Sequence, residues 1–174
     1  MSKKHFPIMA IAAIAAVIML GSGCGYSIGY ISHPQMESIA VAPVVNETIH
    51  YNGSALLRNV LAEKFMTDGS MKLKSLKSAD CILYARILEV KYSASDSLLS
   101  DSDPYIPEEW TAEVTVEYSV IVPGRPKPLI PATKLSAKAL FLREADLESA
   151  RYNGLRQALN DAAKKIVYGV TEAW

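Results

Sequence analysis

The clearest pattern in the chain is a strict alternation of apolar and polar residues over 110–122. Every second residue from Trp110 to Val122 is apolar, whereas the residues between them as far as Ser119 are threonine, glutamate or serine. Successive side chains of a strand point to opposite faces of the sheet. The alternation therefore predicts a strand with one buried face and one polar, open face.

Four other stretches also predict strands. Residues 38–45 form a nearly continuous apolar run, typical of a strand covered on both faces, and Pro43 predicts an edge or a bulge near its end. Residues 81–95 alternate but change phase, which predicts a bulge near Ile87 to Glu89. Two shorter strands are expected at 71–76 and 135–143.

Two stretches carry the helical period. In the first, Ser54 is the expected N-cap and Gly69 the expected stop. Its apolar stripe is Leu56, Leu57, Val60, Leu61 and Phe65. The second helix runs from Ala145 to the end of the chain. Its stripe is Leu155, Leu159, Ala162, Ala163, Ile166, Val167, Val170 and Trp174. Such a stripe either binds a partner or covers a sheet, and covering the sheet is the favoured interpretation.

Two amphipathic helices and a half-polar sheet bury their apolar faces by stacking against one another. We therefore predict an α+β two-layer sandwich, with a mixed or antiparallel sheet of about four to five strands and both helices on one face. The other face of the sheet stays open and is the natural place for a partner.

The first residues differ from the rest of the chain. Lys3 and Lys4 precede an apolar run from Ile8 to Leu20, which has the length of a signal-peptide core and is too short to span a bilayer. The stretch Gly21-Ser22-Gly23-Cys24 that follows looks like a bacterial lipobox, although Gly21 stands where Leu is usual. This resemblance implies cleavage between Gly23 and Cys24 and lipid attachment at Cys24. An ordinary secreted protein with an unmodified Cys24 is the alternative.

The predicted organisation is a signal peptide at 1–23, a lipidated N-terminal tether at 24–37 and a single α+β domain at 38–174. Two or three acyl chains on Cys24 would anchor the protein durably to a membrane without crossing it. Gly25 stands where an Asp would favour retention in the inner membrane. By resemblance to sorted lipoproteins, this favours the periplasmic side of the cell outer membrane.

Charge and cysteines narrow the function further. Removing Lys3 and Lys4 with the signal leaves 16 basic residues against 18 acidic ones, a balance that argues against nucleic-acid binding. Cys81 is expected to be a buried thiol in a strand, and a disulfide with Cys24 is the competing interpretation.

The sequence contains no catalytic or metal-binding constellation that we can identify. His33 and His50 stand in loops without ligands at metal-binding spacing, and Asp80 is a lone acid expected to serve a turn or a cap. The acidic loop at 95–109 lacks the spacing of a calcium loop and is expected to be a solvated hairpin tip. We therefore expect no enzyme activity, no metal and no cofactor.

The order of these motifs resembles the LPS-assembly lipoproteins (LptE-like). The resemblance rests on residues 23–26, 39–48, 65–69 and 79–83, followed by a long helix that closes on a tryptophan. It covers essentially all of the chain after the signal. Each motif is weak by itself, and only their order is specific.

The resemblance implies an outer-membrane lipoprotein that plugs and helps to assemble a β-barrel translocon (LptD-like), which delivers lipopolysaccharide to the outer leaflet. The expected partners are that barrel, lipopolysaccharide and the membrane through the lipid anchor, with no nucleic acid. Arg125 and Lys127, on a proline-rich loop, are candidate contacts for lipopolysaccharide phosphates, or they serve only solubility. The alternative function is a periplasm-facing lipoprotein that activates a peptidoglycan synthase or forms part of a secretion complex.

Overall fold

The computed structural model describes residues 36–94, 109–142 and 146–172. The elements in chain order are β1 (Ser38–Val41), β2 (Val45–Asn46), α1 (Gly53–Asp68), β3 (Lys72–Leu73), β4 (Cys81–Ala94), β5 (Glu109–Ile121), β6 (Ile130–Leu142) and α2 (Leu147–Thr171). All six strands join one mixed sheet in the order β3-β1-β4-β5-β6, with β2 paired to β4 beside β1. The contacts of β1 with β3 and of β4 with β1 and β2 are parallel, whereas β4, β5 and β6 are antiparallel.

The predicted fold class is confirmed, with one strand more than expected. The apolar run at 38–45 divides into β1 and β2 around Pro43, which has no amide hydrogen for the ladder. The bulge in β4 is confirmed between Ile87 and Glu89. Because of it, Val90 and Tyr92 pack against the same core as Leu83.

Strand β6 was predicted too short. The prediction began at Leu135, whereas the strand begins at Ile130 and includes Pro131. Pro131 is tolerated because β6 is the outer strand of the sheet, where an amide need not pair, and because the pairing with β5 shifts between Tyr118 and Val120. A second prediction was too long: the strand expected at 71–76 is only the two residues of β3.

The two ends of α1 gave different outcomes. Ser54 was the wrong N-cap: the helix begins at Gly53, and Asn52 takes the cap position without a side-chain hydrogen bond. The turn before it is held instead by Asn46, whose side-chain amide donates to the His50 carbonyl at 2.7 Å. Gly69 is confirmed as the stop, because it has a φ of 71° and its amide donates to the Phe65 carbonyl.

Both helices pack on one face of the sheet and enclose the main core. The core contains Leu57, Leu61 and Phe65 of α1 together with Leu159 and Ile166 of α2, all fully buried. Helix α2 begins after Asp146, whose side chain accepts a hydrogen bond from the Glu148 amide. The stripe interpretation of both helices is therefore confirmed. Trp174 lies outside the described residues.

Cys81 is a free thiol with no exposed surface. Burial, and next the charge of Asp80, raise its pKa to about 11. The predicted buried thiol is confirmed, and Cys24 lies outside the described residues.

Gly154 of α2 provides a test of the packing between helix and sheet. A Cβ built on Gly154 would stand 2.4 Å from Cδ1 of Phe141, a buried ring on β6. We expect Gly154→Ala to lower the free energy of unfolding by about 1–3 kcal/mol from overpacking, offset by up to about 1 kcal/mol of helix propensity. Urea unfolding would measure the change.

Phe141→Leu supplies the control for this clash. In that background the space beside Gly154 widens, so Gly154→Ala should become neutral or stabilising. The expected coupling between the two positions is about 1 kcal/mol or more. Additive effects of the two substitutions would contradict this account of the contact.

Candidate functional site

The face of the sheet opposite the helices is the main candidate surface, and we call it the open face. Across β4, β5 and β6 it carries polar side chains and charges of both signs, together with the exposed side chains of Tyr84, Leu140 and Leu142. Its polar residues are Arg86, Glu89, Lys91, Thr111, Glu113, Thr115, Glu117, Ser119, Lys134, Ser136 and Lys138. Those on β5 are half-buried by their neighbours, and those on β6 are mostly exposed. The predicted polar, open face is confirmed.

Charges on the open face form two transverse rows. Strand pairing places Glu117 between Arg86 and Lys134, and it places Glu113 between Lys91 and Lys138. The acidic composition seen along β5 is therefore balanced by cations on both neighbouring strands. Sequence alternation alone could not show this balance, because it depends on which residues pair across the sheet.

The ion pairs of this face are weak. Lys138 lies 3.4 Å from Glu113, Lys91 lies 2.8 Å from Glu89, and Arg86 pairs with Glu47 at 3.1 Å. Their side chains are about one-third to two-thirds exposed. Pairs of this kind contribute about 0–1 kcal/mol each. The charged groups are therefore free to exchange these partners for groups on another protein at small cost.

The outer edge of β6 is protected against strand addition. Lys165 of α2 donates to the Ser136 carbonyl at 3.2 Å, and Pro131, Lys134 and Lys138 lie along the same strand. Lysine and proline on an edge strand discourage pairing with another chain. The open face, rather than this edge, is the surface suited to a partner.

Asp80 joins two strands, whereas the sequence predicted a role in a turn or a cap. Its carboxylate accepts hydrogen bonds from the Ser38 hydroxyl at 2.6 Å and from the Glu37 amide at 3.2 Å. The bond from Ser38 is the main cause that holds the pKa of Asp80 below its ordinary value. These bonds tie the beginning of β1 to the beginning of β4.

A cleft of about 950 Å³ opens at the far end of the sheet, between the loop before α1 and the start of α2. Tyr92 lies in its wall, with the His50 ring in edge contact at 5.5 Å and Cζ of Arg151 5.7 Å from its ring centre. Burial is the main cause that raises the pKa of Tyr92. Ile49 and Tyr51 stand at the rim, 93% and 85% exposed.

Sequence reasoning did not identify this apolar rim. Residues 48–51 are too few to show a period, and the exposure of a lone isoleucine is decided by how the loop folds. Within the described ranges, no three His, Cys, Asp or Glu side chains lie together as a metal site. Neither described helix is long and apolar enough to cross a membrane.

Arg125 and Lys127 are both exposed on the loop between β5 and β6. The Arg125 amide donates to the Val122 carbonyl, which closes the turn. Because Ile121 pairs with Ile82, this loop lies at the end of the sheet where β4 begins. The structure does not bring these two residues onto the charged centre of the open face. Gly23, Cys24 and residues 95–108 of the acidic loop lie outside the described residues, and Glu109 begins β5.

No protein-family model matches the chain, and no curated protein matches it. Similar solved structures include a hypothetical protein from Chlamydia trachomatis, with 15% identity, a TM-score of 0.54, and coverage of 80% of this chain and 99% of that one. A DUF330 protein from Xanthomonas campestris has 12% identity and a TM-score of 0.54, and the match covers 79% and 86% of the two chains.

A third similar structure is a candidate lipoprotein from Caulobacter crescentus. It has 15% identity and a TM-score of 0.51, and the match covers 77% of this chain and 88% of that one. At such low identity, likeness of structure establishes the fold. The chain therefore shares the helix-covered mixed sheet of these three bacterial proteins.

Proposed function

We propose that this chain is an outer-membrane lipoprotein that plugs a β-barrel lipopolysaccharide translocon and helps to assemble it. The observation that carries the proposal is the open face: three long antiparallel strands that the helices leave uncovered, with a polar and charge-balanced surface. A lipid at Cys24 would hold this surface beside outer-membrane proteins.

The chemistry of the open face suits the inside of a barrel. The lumen-facing side chains of outer-membrane barrels are polar, whereas their outer band is apolar. Glutamates on β5, with cations on β4 and β6, offer both signs of charge to such a lumen. A partner that buried a predominantly apolar interface would fit this face poorly.

The dimensions of the domain set a lower limit on the width of the barrel. Strand β4 has 14 residues, which at roughly 3.3 Å per residue spans about 46 Å. A two-layer domain fits only a wide barrel, and barrels of about 22 strands are the ones that hold folded plugs. The proposal therefore requires a large outer-membrane partner.

Two further observations support the proposal. A candidate lipoprotein has the same fold, as the Caulobacter protein shows. Arg125 and Lys127 are exposed on one loop, where they could meet lipopolysaccharide phosphates.

Site-specific photo-crosslinking in cells would test the contact with the barrel. A photoreactive residue at Ser136, exposed on the open face midway along β6, should give an adduct with an outer-membrane barrel. The matched control is Asn59, which is also exposed but lies on α1, in the helical layer of the domain. We expect the barrel adduct from Ser136 and only background from Asn59.

The identity of the adduct distinguishes the alternatives. Equal crosslinking from Asn59 and Ser136 would show that the open face is not the docking surface. An adduct between Ser136 and a peptidoglycan synthase would contradict the translocon proposal and support the cell-wall alternative.

A further inference from the structure

Residues 72–77 form a short stretch of lysine and leucine that the open face does not explain. We call it the Lys-Leu segment. Lys72, Lys74 and Lys77 are exposed, and between them Leu73 and Leu76 are 37% and 42% exposed. Leu73 ends β3 and Leu76 lies in the turn that follows, so the two leucines and the three lysines stand together at one edge of the sheet.

The Lys-Leu segment is fixed beside the point where the chain enters the domain. The Lys72 amide donates to the Glu37 carbonyl at 2.8 Å, and the Lys74 amide donates to the Ile39 carbonyl at 2.9 Å. Strand β3 pairs with β1 in parallel, with Ser38 opposite Lys72. Any restraint on the chain just before Ser38 therefore acts directly on this segment.

The length of chain between Cys24 and Met36 limits how far the segment can stand from an anchored lipid. Twelve residues separate the two positions, and a fully extended chain covers at most about 3.6 Å per residue. The upper limit is therefore about 43 Å. The cleft rimmed by Ile49 and Tyr51 lies at the other end of β4 and so farther from the point where the chain enters the domain.

Net charge alone does not identify this end of the sheet as a surface that binds an anionic membrane. Besides the three lysines it carries the cations Arg125 and Lys127 and the acids Glu37, Asp68, Asp80 and Glu172. The excess of positive charge is only one. Asp80 is engaged by Ser38 and Glu37, and Asp68 accepts hydrogen bonds from Ser70. A surface that binds through leucines as well as lysines needs no large excess of positive charge.

We propose that the Lys-Leu segment lies in the headgroup region of the anionic bilayer into which Cys24 is anchored. The leucines enter the boundary between headgroups and acyl chains, while the lysine ammonium groups contact lipid phosphates. This contact sets the orientation of the domain, with β3 toward the membrane and the cleft rimmed by Ile49 and Tyr51 away from it. The inference rests on the lipid anchor of the proposed function, and it does not depend on the barrel.

Vesicle sedimentation would test the contact without the anchor. The chain beginning at residue 24 with Cys24→Ala, which carries neither the apolar leader nor a lipid, is mixed with vesicles of equal parts phosphatidylglycerol and phosphatidylcholine, or of phosphatidylcholine alone. We expect binding to the anionic vesicles only, and its loss at high salt. Lys74→Gln with Lys77→Gln should lower the partition coefficient about twenty-fivefold, because each cation contributes about a factor of five near an anionic surface.

The leucines distinguish insertion from simple charge attraction. Leu73→Ser with Leu76→Ser should lower binding roughly tenfold, as expected for loss of two partly buried apolar side chains. Matched controls are Arg156→Gln with Lys164→Gln on α2, and Leu140→Ser with Leu142→Ser at the opposite end of the sheet. Both control pairs should bind like the parent.

Three results would overturn the proposal: no binding of the parent to anionic vesicles, full binding after loss of both leucines, or an equal decrease in the controls. The outcome is separate from the crosslinking experiment. Vesicle binding without a barrel adduct would refute the translocon function and keep the membrane contact. A barrel adduct without vesicle binding would support the translocon function and refute the membrane contact.

Discussion

Replacing Cys24 with alanine, in a chain exported behind a signal peptide that is cleaved without lipidation, is expected to move the protein from the membrane fraction to the soluble periplasmic fraction. A long acyl chain contributes about 0.8 kcal/mol for each buried methylene, so each chain supplies on the order of 10 kcal/mol of membrane attachment. The Lys-Leu segment is too short to replace two or three such chains, and a high-salt wash should release what it retains. Cell fractionation and mass spectrometry of the amino terminus would measure the change.

Cys81→Ala is the matched control, since it removes the other cysteine of the chain. Cys81 is buried in the core, so its loss should leave the amino terminus lipidated and the protein at the membrane. A chain beginning at Met1, or a processed chain with an unmodified Cys24 thiol, would contradict the anchor. The protein would then be an ordinary secreted or cytoplasmic one, and both proposals that use the anchor would fail.

Phe65→Ala is expected to lower the free energy of unfolding by about 3–5 kcal/mol. Phe65 has no exposed surface, and its ring is among the largest side chains in the core between α1, α2 and the sheet. The substitution removes the transfer energy of the ring and leaves a cavity that rigid neighbours fill only partly. Domains of this size are stable by about 5–15 kcal/mol, so this single change removes a large share.

Urea unfolding of the soluble Cys24→Ala chain would measure the effect of Phe65→Ala. Met66→Ala is the matched control, because Met66 is the next residue of α1 and is 64% exposed. Its loss should cost less than about 0.5 kcal/mol. Equal effects at the two positions would show that α1 does not pack through the observed stripe.

The local sequence was sufficient to predict an element wherever the burial of one of its faces decides how the element lies. The alternation over 110–122 predicted β5 and its polar face, and the phase change predicted the bulge beside Leu88. Gly69 predicted the end of α1, because a left-handed residue there needs no partner elsewhere in the fold.

The errors came from positions where a distant contact outweighs a local preference. Ser54 is a good cap in isolation, but the loop held by Asn46 starts α1 two residues earlier, with Asn52 at the cap position. The strand predicted from Leu135 begins earlier, at Ile130, and Pro131 is accepted in β6 because that strand lies at the edge of the sheet. The exposure of Ile49 and Tyr51 likewise depends on how their loop packs against the end of β4.

The sequence by itself determined the two layers, the covered face and the polar face, because hydrophobic period is a local property of the chain. Only the tertiary structure decided which strands are neighbours, and with that the charge rows of the open face and the place of the Lys-Leu segment beside the chain entry. Strand pairing brings together residues far apart in sequence, such as Ser38 and Lys72 or Glu113 and Lys138. No local pattern encodes that choice, since each strand could satisfy its own alternation beside several partners.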